Sequence, residues 1–416
     1  MSEKRSGVVA SQSGHSLPQQ HYDIIIVGAG FSGLAAAFYL QRSQPDARIL
    51  LIERSGIPSE EGMSYLSPGI VHSQQADPEQ QRRARWGRER LAHLPEETDI
   101  HRPQQVFFPV GYVTGYPDSQ GTAAQSFTEL LAKLEPDAAH NLQQVADWPT
   151  LCAQGLQLHY DPEGGYASAE AAALHYAYAA VRQGLDILLN SQVTALGDNG
   201  RLELERLAFN RYMQREVVRR QTLHADMLLL CNGADIAPLV EAGLGQLMEL
   251  HRVYLQYPRI ETCPQLRLRQ GRVHMPVLHY QAKPAAGLCL RPQGEGLLIV
   301  PEGLAADPVG YQPEGGRLFG VPVGLRRELL EPLLANLEQL PALGWPQCNL
   351  GKSVHNVRGG WQTVTKSGLP EWYSIEADIP TFALAAAHAP LNLALAAAYD
   401  LVAHISALPS RPWARH

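Results

Sequence analysis

Cysteine is scarce and dispersed in this sequence. Cys152, Cys231, Cys263, Cys289 and Cys348 are the five, with no C-x-x-C and no metal-type pairing with histidine. An odd, scattered set argues against a disulfide framework and fits a reducing compartment. Long apolar runs are missing as well; none approaches the roughly 20 residues of a membrane span, so no integral membrane segment is expected, and peripheral membrane contact is left open. Basic excess is also absent. The 34 Lys and Arg against 41 Asp and Glu give a net charge of −7, which offers no footprint for nucleic acid. Residues 1–20 are polar and lack the continuous apolar core of a secretory signal. They read as a flexible tail on a cytoplasmic protein.

What is present is an ordinary globular composition, 45% apolar and 18% charged, in 416 residues. That length exceeds the usual size of one hydrophobic core, so two domains, or one large domain with an insertion, are expected. "YDIIIVGAG" is an apolar run of strand length ending in glycine, "FSGLAAAFYLQRS" a helix with a small-residue face, and "ARILLIE" a second buried strand. Together they predict a βαβ unit with parallel strands and a right-handed crossover. Residues 76–145 read as polar helices interrupted by the strand pieces of "VFFPVGYVTGY". Residues 164–196 predict a helix, a turn at Gly184 and a strand, and a hairpin then returns to a buried strand at 227–231. Short strands broken by Pro and Gly over 250–326 predict an antiparallel sheet. "RRELLEPLLANLEQL" reads as a helix, and the last helix starts with Pro390 at its first position.

The fold class that follows is α/β, with a Rossmann-like nucleotide domain assembled from separated segments and an antiparallel-sheet substrate domain. The expected boundaries are 21–75, 146–248 and 346–408 for the first, and 76–145 and 249–345 for the second.

"GAGFSG" places Gly28, Gly30 and Gly33 at the G-x-G-x-x-G spacing, with Phe31 and Ser32 between the last two. The first glycine permits the tight turn, the second lets a pyrophosphate approach the backbone, and the third lets helix and strand pack closely. The helix N-terminus adds free N–H donors and a positive dipole end. Glu53 ends the second strand 20 residues after Gly33, where an acid should hydrogen-bond ribose hydroxyls. Strand, motif, helix, second strand and terminal acid in this order predict a bound dinucleotide. A later strand, "ADMLLLCNGAD", ends in Gly233 near the same crevice, and Val193 lies on a strand that could offer its backbone to an adenine.

The chain resembles the D-amino acid oxidase superfamily of FAD-dependent oxidoreductases, which includes glycine and sarcosine oxidases and D-amino acid dehydrogenases. The likeness runs through "DIIIVGAGFSGLAAAFYL", "LLIER", "SYLSPGIV", "AAVRQGLDILLNSQVTAL", "ADMLLLCNGADIAPLVEAGLG" and "LCLRPQGEGLLIV", over most of residues 22–405. It implies bound FAD and hydride removal from the carbon beside an amine, giving an imine that hydrolyses. The substrate implied is a small amine or amino-acid-like molecule; an electron acceptor or protein partner is left open. A flavin takes the hydride while the protein positions the donor carbon, so no side-chain nucleophile is needed.

Two motifs depart from the family. Its G-x-R-P-x-T-x-D-G-x-P pattern appears in "GGWQTVTKSGLPEW" with Gly360 and Pro370 in place, but Gln362 at the arginine, Thr363 at the first proline and Ser367 at the aspartate. Its glycine-rich turn before the last helix is replaced by "AAAHAPLNLAL", which keeps His388. The resemblance nominates Gln362, His388 and Arg291 for the reaction. It nominates Arg54, Ser64, Ser67 and Gly360, beside the residues above, for FAD. Arg291 in "LCLRP" is the preferred partner for an anionic substrate, because a forked guanidinium matches a carboxylate. Arg252, Tyr254, Tyr280 and Cys289 are further site candidates, and Lys352, Arg358 and Lys366 could replace the missing arginine's charge. Two other readings stand beside amine oxidation: a degenerate flavin-binding subunit of a larger complex, and another flavoenzyme such as an aromatic hydroxylase.

Overall fold

The computed structural model describes residues 6–10, 19–59, 62–117, 126–153, 155–212, 214–260, 263, 265–283, 286–302, 354–386 and 390–406. Along the chain run β1 (Val9–Ala10), β2 (His21–Val27), α1 (Phe31–Ser43), β3 (Ile49–Ile52), the short α2 (Met63–Leu66), β4 (Ile70–Val71), α3 (Pro78–Ala92) and α4 (Leu94–Thr98). Next come β5 (Phe107–Phe108), β6 (Tyr112–Pro117), α5 (Phe127–Leu131), α6 (Pro136–Val145), α7 (Trp148–Ala153), β7 (Leu156–Asp161), β8 (Gly165–Ala167) and α8 (Ala169–Arg182). They are followed by β9 (Asp186–Leu188), β10 (Ser191–Leu196), β11 (Arg201–Phe209), β12 (Arg215–Leu230), α9 (Ile236–Leu244) and β13 (Leu250–Ile260). The remaining elements are β14 (Leu268–Arg269), β15 (Arg272–Val273), β16 (Val277–Lys283), β17 (Ala286–Gln293), β18 (Gly296–Glu302), β19 (Val354–Thr365), β20 (Glu371–Ile375), β21 (Thr381–Ala385) and a last helix, α10 (Leu391–Ile405).

The first sheet has the order β1-β9-β3-β2-β12-β11-β10, with β21 and β20 joined through β12. Its centre is parallel, β9 to β3 to β2 to β12 to β21, while the β11–β12 hairpin is antiparallel. The central strands read as unbroken apolar runs because both faces are covered. Ile24, Ile26 and Leu51 point into one core with α1, α8 and α10; Ile25, Val27 and Leu50 point into the other, beneath α9. Every residue of α1 from Phe31 to Gln41 is buried. Its alanines and Gly33 permit that, since small side chains let neighbouring helices approach on several sides.

The second sheet has the order β19-β13-β18-β17-β16-β6-β7 and is antiparallel except where β16 meets β6. Strand alternation splits its residues between two cores. Val113, Leu278, Tyr280, Leu288, Leu290 and Ile299 face outward onto α5–α7. Tyr112, Tyr257, Val277, Cys289, Leu298 and Val300 face inward, against Leu66 and Tyr166 of the first half.

Several expectations change. The tail is not wholly free: β1 pairs in parallel with β9, Ala10 is fully buried, and the Val8 N–H donates to Asp186 Oδ1 at 2.9 Å. Otherwise β9 would end the sheet with an open backbone edge, and the tail satisfies it. Pro390 is the residue before α10 rather than its first turn, with an extended ψ of 139°. Trp86, Leu91 and Leu94, from segment 76–145, lie in the nucleotide-side core, because the α3 face packs on α10. Residues 148–161 and 354–365 belong instead to the second sheet and its core, where β7 and β19 are the two end strands. The helix expected at 326–340 lies outside the described residues.

Candidate dinucleotide site and the facing sheet

The turn between β2 and α1 leaves no room for side chains. Gly28 has φ +102°, and a Cβ there would lie 2.6 Å from the Cys231 carbonyl oxygen; one on Gly33 would lie 2.1 Å from the Gly28 oxygen. Gly30 caps α1 without a side-chain partner of its own. The cap comes from elsewhere: Ser64 Oγ, in α2, accepts the Phe31 N–H at 2.7 Å. Phe31, Ser32 and Gly33 form the first turn, where the backbone donors and the dipole favour an anion.

Glu53 is buried directly after β3. Its Oε2 accepts the Ala29 N–H at 2.8 Å and its Oε1 the Ser55 N–H at 2.9 Å. The carboxylate is therefore held rigidly beside the glycine turn. A carboxylate at this place is the acceptor that ribose hydroxyls require. Ser191 at the head of β10 donates its N–H to the Glu53 carbonyl, which sets Val193 two residues further along this terminal strand. Gly233 has φ +61°, and a Cβ there would meet nothing within 4 Å, so the turn Gly233–Asp235 is open on this side.

Other nominated residues are otherwise engaged. Arg54 pairs with Asp235 at 3.1 Å, and Arg252 meets the same carboxylate at 3.5 Å while lying over the Trp361 ring. Ser67 Oγ accepts the Gly69 N–H at 3.0 Å, a turn-forming role within its own loop. Gly360 is a site of close packing: a Cβ there would lie 2.7 Å from Leu66 Cδ1 and 2.8 Å from Met63 Sδ. Its lack of a side chain lets β19 press against the helix that supplies Ser64. Gln362 is buried two residues along and so shares the face of Gly360. Ser367 sits in an exposed turn, hydrogen-bonded to Glu371, and Lys366 pairs with Glu249. Tyr280 packs in the outward core rather than facing the site. His388 and Lys352 lie outside the described residues, as do the side chains of Tyr254 and Arg358.

Arg291 is a buried cation on the inner face. Its Nη1 donates to the Pro68 carbonyl at 2.8 Å, and its guanidinium lies 4.6 Å from the Tyr166 ring centroid. Burial pushes its pKa down to about 10, because the charged form loses hydration that a carbonyl and a ring do not fully replace. Arg291 and Gln362 face the same way but lie three strands apart and six to seven residues out of register, roughly 25 Å at ordinary strand spacing and rise. What links them is the segment Met63–Gly69, which covers Gly360 with Met63 and Leu66 and meets Arg291 through Pro68.

The sequence reading passed over four residues on this wall. Tyr112 Oη is 2.8 Å from His279 Nδ1, His72 stacks on the Tyr112 ring at 4.3 Å, and Tyr166 lies beneath Arg291. A period-two reading of "VLH" and "CLR" would have put His279 with Val277 and Arg291 with Cys289, but nothing local said which face turns inward.

The family model described as FAD dependent oxidoreductase, DAO, matches residues 23–402. The chain belongs to the DAO family of FAD-dependent oxidoreductases. Its cofactor is FAD, and the glycine turn, Ser64 and the Glu53 carboxylate form a cradle that fits a dinucleotide. The aromatic-hydroxylase alternative is set aside by this match. Among solved structures, the chain is similar to glycine oxidase from Geobacillus kaustophilus, at 18% identity and TM-score 0.62, covering 93% of this chain and 95% of that one. It is similar to L-proline dehydrogenase from P. horikoshii, at 14% identity and TM-score 0.67, with 95% and 96% covered. Iminodiacetate oxidase from Chelativorans sp. BNC1 follows at 17% identity and TM-score 0.62, with 93% and 96% covered. At these identities the likeness is one of fold. No curated protein matches the sequence to significance. No helix among the described residues is long and apolar enough to cross a membrane.

Proposed function

We propose that this DAO-family protein oxidises a small amine or amino-acid-like substrate at a C–N bond. One observation carries the reading: the segment that caps the nucleotide helix through Ser64 also presses, through Pro68, on a buried arginine of the facing sheet. A dinucleotide at α1 and an anionic substrate at Arg291 would therefore share one wall. Glycine oxidase, proline dehydrogenase and iminodiacetate oxidase, whose folds it shares, are named for such substrates.

When bound, FAD supplies the acceptor for a hydride. In the reaction the C–H bond beside nitrogen breaks and its electron pair departs with the hydrogen. The nitrogen loses a proton, and a C=N bond forms that water later opens. Gly28, Gly30, Gly33, Phe31, Ser32, Glu53, Ser64 and Val193 hold the dinucleotide, with Gly233 at the edge of the crevice. Arg291 orients the substrate carboxylate, and Gln362 fixes the opposite end of the wall. Tyr257, Leu298, Val300 and Leu255 exclude water, which strengthens the charge pairing at Arg291. The five cysteines are few and dispersed, which supports a cytoplasmic location.

The test is anaerobic titration of the purified yellow protein with amines and amino acids, read as bleaching of flavin absorbance. A protein that neither carries nor takes up FAD would sink the reading. The second reading, a flavin-binding subunit without turnover, is favoured by Gln362 and Ser367 at positions where the family carries charge. It predicts bound flavin inert to the whole panel, with a partner that copurifies.

A further inference from the structure

Many of the described arginines have an acid beside them. Arg48 pairs with Asp23, Arg88 with Glu163, Arg182 with Asp99, Arg267 with Asp137 and Arg269 with Glu135. Three arginines around the inner wall break that pattern: no carboxylate pairs with Arg259, Arg272 or Arg291 among the described residues. They are close enough that Arg259 and Arg272 both push against the Arg291 charge.

The pairing of strands explains how they converge. Arg259 on β13 stands opposite Leu298 on β18, and Leu298 stands opposite Arg291 on β17. The two arginines thus share a face at about 10 Å, two strand spacings apart. Arg272 reaches the group from β15 through an aromatic bridge. Its guanidinium lies 4.7 Å from the Phe108 centroid, Phe108 stacks on Tyr166 at 4.7 Å, and Arg291 lies over Tyr166. Arg259 Nε and Arg291 Nε are both buried donors without a hydrogen-bond partner. Arg291 is only 9% exposed. Buried donors without acceptors are costly, and a protein of net charge −7 had acids to place there.

We propose that Arg259 and Arg272, with Arg291, form an anion subsite that selects a substrate carrying a second oxyanion beyond the carboxylate held by Arg291. One carboxylate would leave the buried Nε of Arg259 unmet, whereas a dianion lets charge-assisted bonds reach both sides of Leu298, with exposed Arg272 adding its charge from the rim. A dicarboxylic amine and a phosphorylated amine share this chemistry. The inference rests on the proposed function only in taking the anion to be part of the substrate.

The experiment is calorimetric titration of the FAD-loaded protein with acetate, malonate and inorganic phosphate, repeated on Arg259→Gln and Arg272→Gln. We expect malonate or phosphate to bind at least about tenfold more tightly than acetate, and each Gln variant to shrink that preference. Arg259→Lys, which keeps the charge, should retain most of it. Preference for malonate assigns a dicarboxylic substrate, and preference for phosphate a phosphorylated one. Equal binding of acetate and both dianions, or a preference unchanged in both Gln variants, overturns the proposal. These probes carry no amine, so dianion selectivity with an inert flavin would reject amine oxidation and leave the subsite standing. Amine turnover without dianion selectivity would do the reverse.

Discussion

The Ser64 hydroxyl accepts the Phe31 N–H at 2.7 Å, so a residue 33 positions downstream closes the first turn of the nucleotide helix. Replacing it with alanine should cost about 1 kcal/mol of stability, the usual loss for a missing cap, and should weaken FAD retention. Denaturant unfolding and the flavin-to-protein absorbance ratio check both. A variant that keeps full flavin would remove Ser64 from the cofactor site.

Gly33→Ala places a methyl group 2.1 Å from the Gly28 carbonyl oxygen, a backbone atom that cannot swing aside. Overpacking of this kind costs about 1–3 kcal/mol. Here it should also part α1 from β2, so the variant should purify without yellow colour. Normal colour would mean that the turn relaxes and the fit argument fails.

Asn392 is fully buried, and its Nδ2 donates to the carbonyls of His72 at 2.9 Å and Ala84 at 2.8 Å. It braces the start of α10 to β4 and α3. Asn392→Ala removes two buried hydrogen bonds, at about 1 kcal/mol each. Asn392→Asp sets carboxylate oxygens against those carbonyls and should be worse at neutral pH. The order of midpoints in urea tests this: wild type highest, Ala next, Asp lowest.

Burial raises the pKa of Glu97, against the opposing influence of Arg90, the Tyr39 hydroxyl and Arg42. A raised folded-state pKa means its contribution is fully present below the unfolded value and is lost as pH rises through the folded one. Glu97→Gln cannot ionise and can still accept from Tyr39. It should match the wild type at acid pH and exceed it in Tm at neutral pH. A gap that stays constant with pH would count against this assignment.

Gln362 is buried on the face that meets α2, yet belongs to a strand already held along its length by β13. Gln362→Ala should therefore change kcat/KM by about tenfold or more, a loss of at least roughly 1.4 kcal/mol in transition-state binding, while the urea midpoint moves little. Kinetics and unfolding measured on the same preparation separate the two. An unaltered kcat/KM returns "GGWQTVTKSGLPEW" to being a packing strand and turn.

The nucleotide cradle could be read directly from the residues, because β2, the glycine turn, α1 and β3 are contiguous and their requirements are local. Glycine spacing, an apolar run and a terminal acid are all visible within Asp23–Glu53, and the hairpin of β11 and β12 was legible for the same reason. Tertiary structure alone decided what each polar group meets. It placed β1 on the edge of β9, gave Arg54 to Asp235, turned Tyr280 outward and set Ser64 on Phe31. It also gathered Arg259, Arg272 and Arg291 from three strands, with Phe108 and Tyr166 between them. Such meetings depend on register and on which face of a strand is buried. A one-residue slip inverts every side chain of a strand while leaving its local pattern the same.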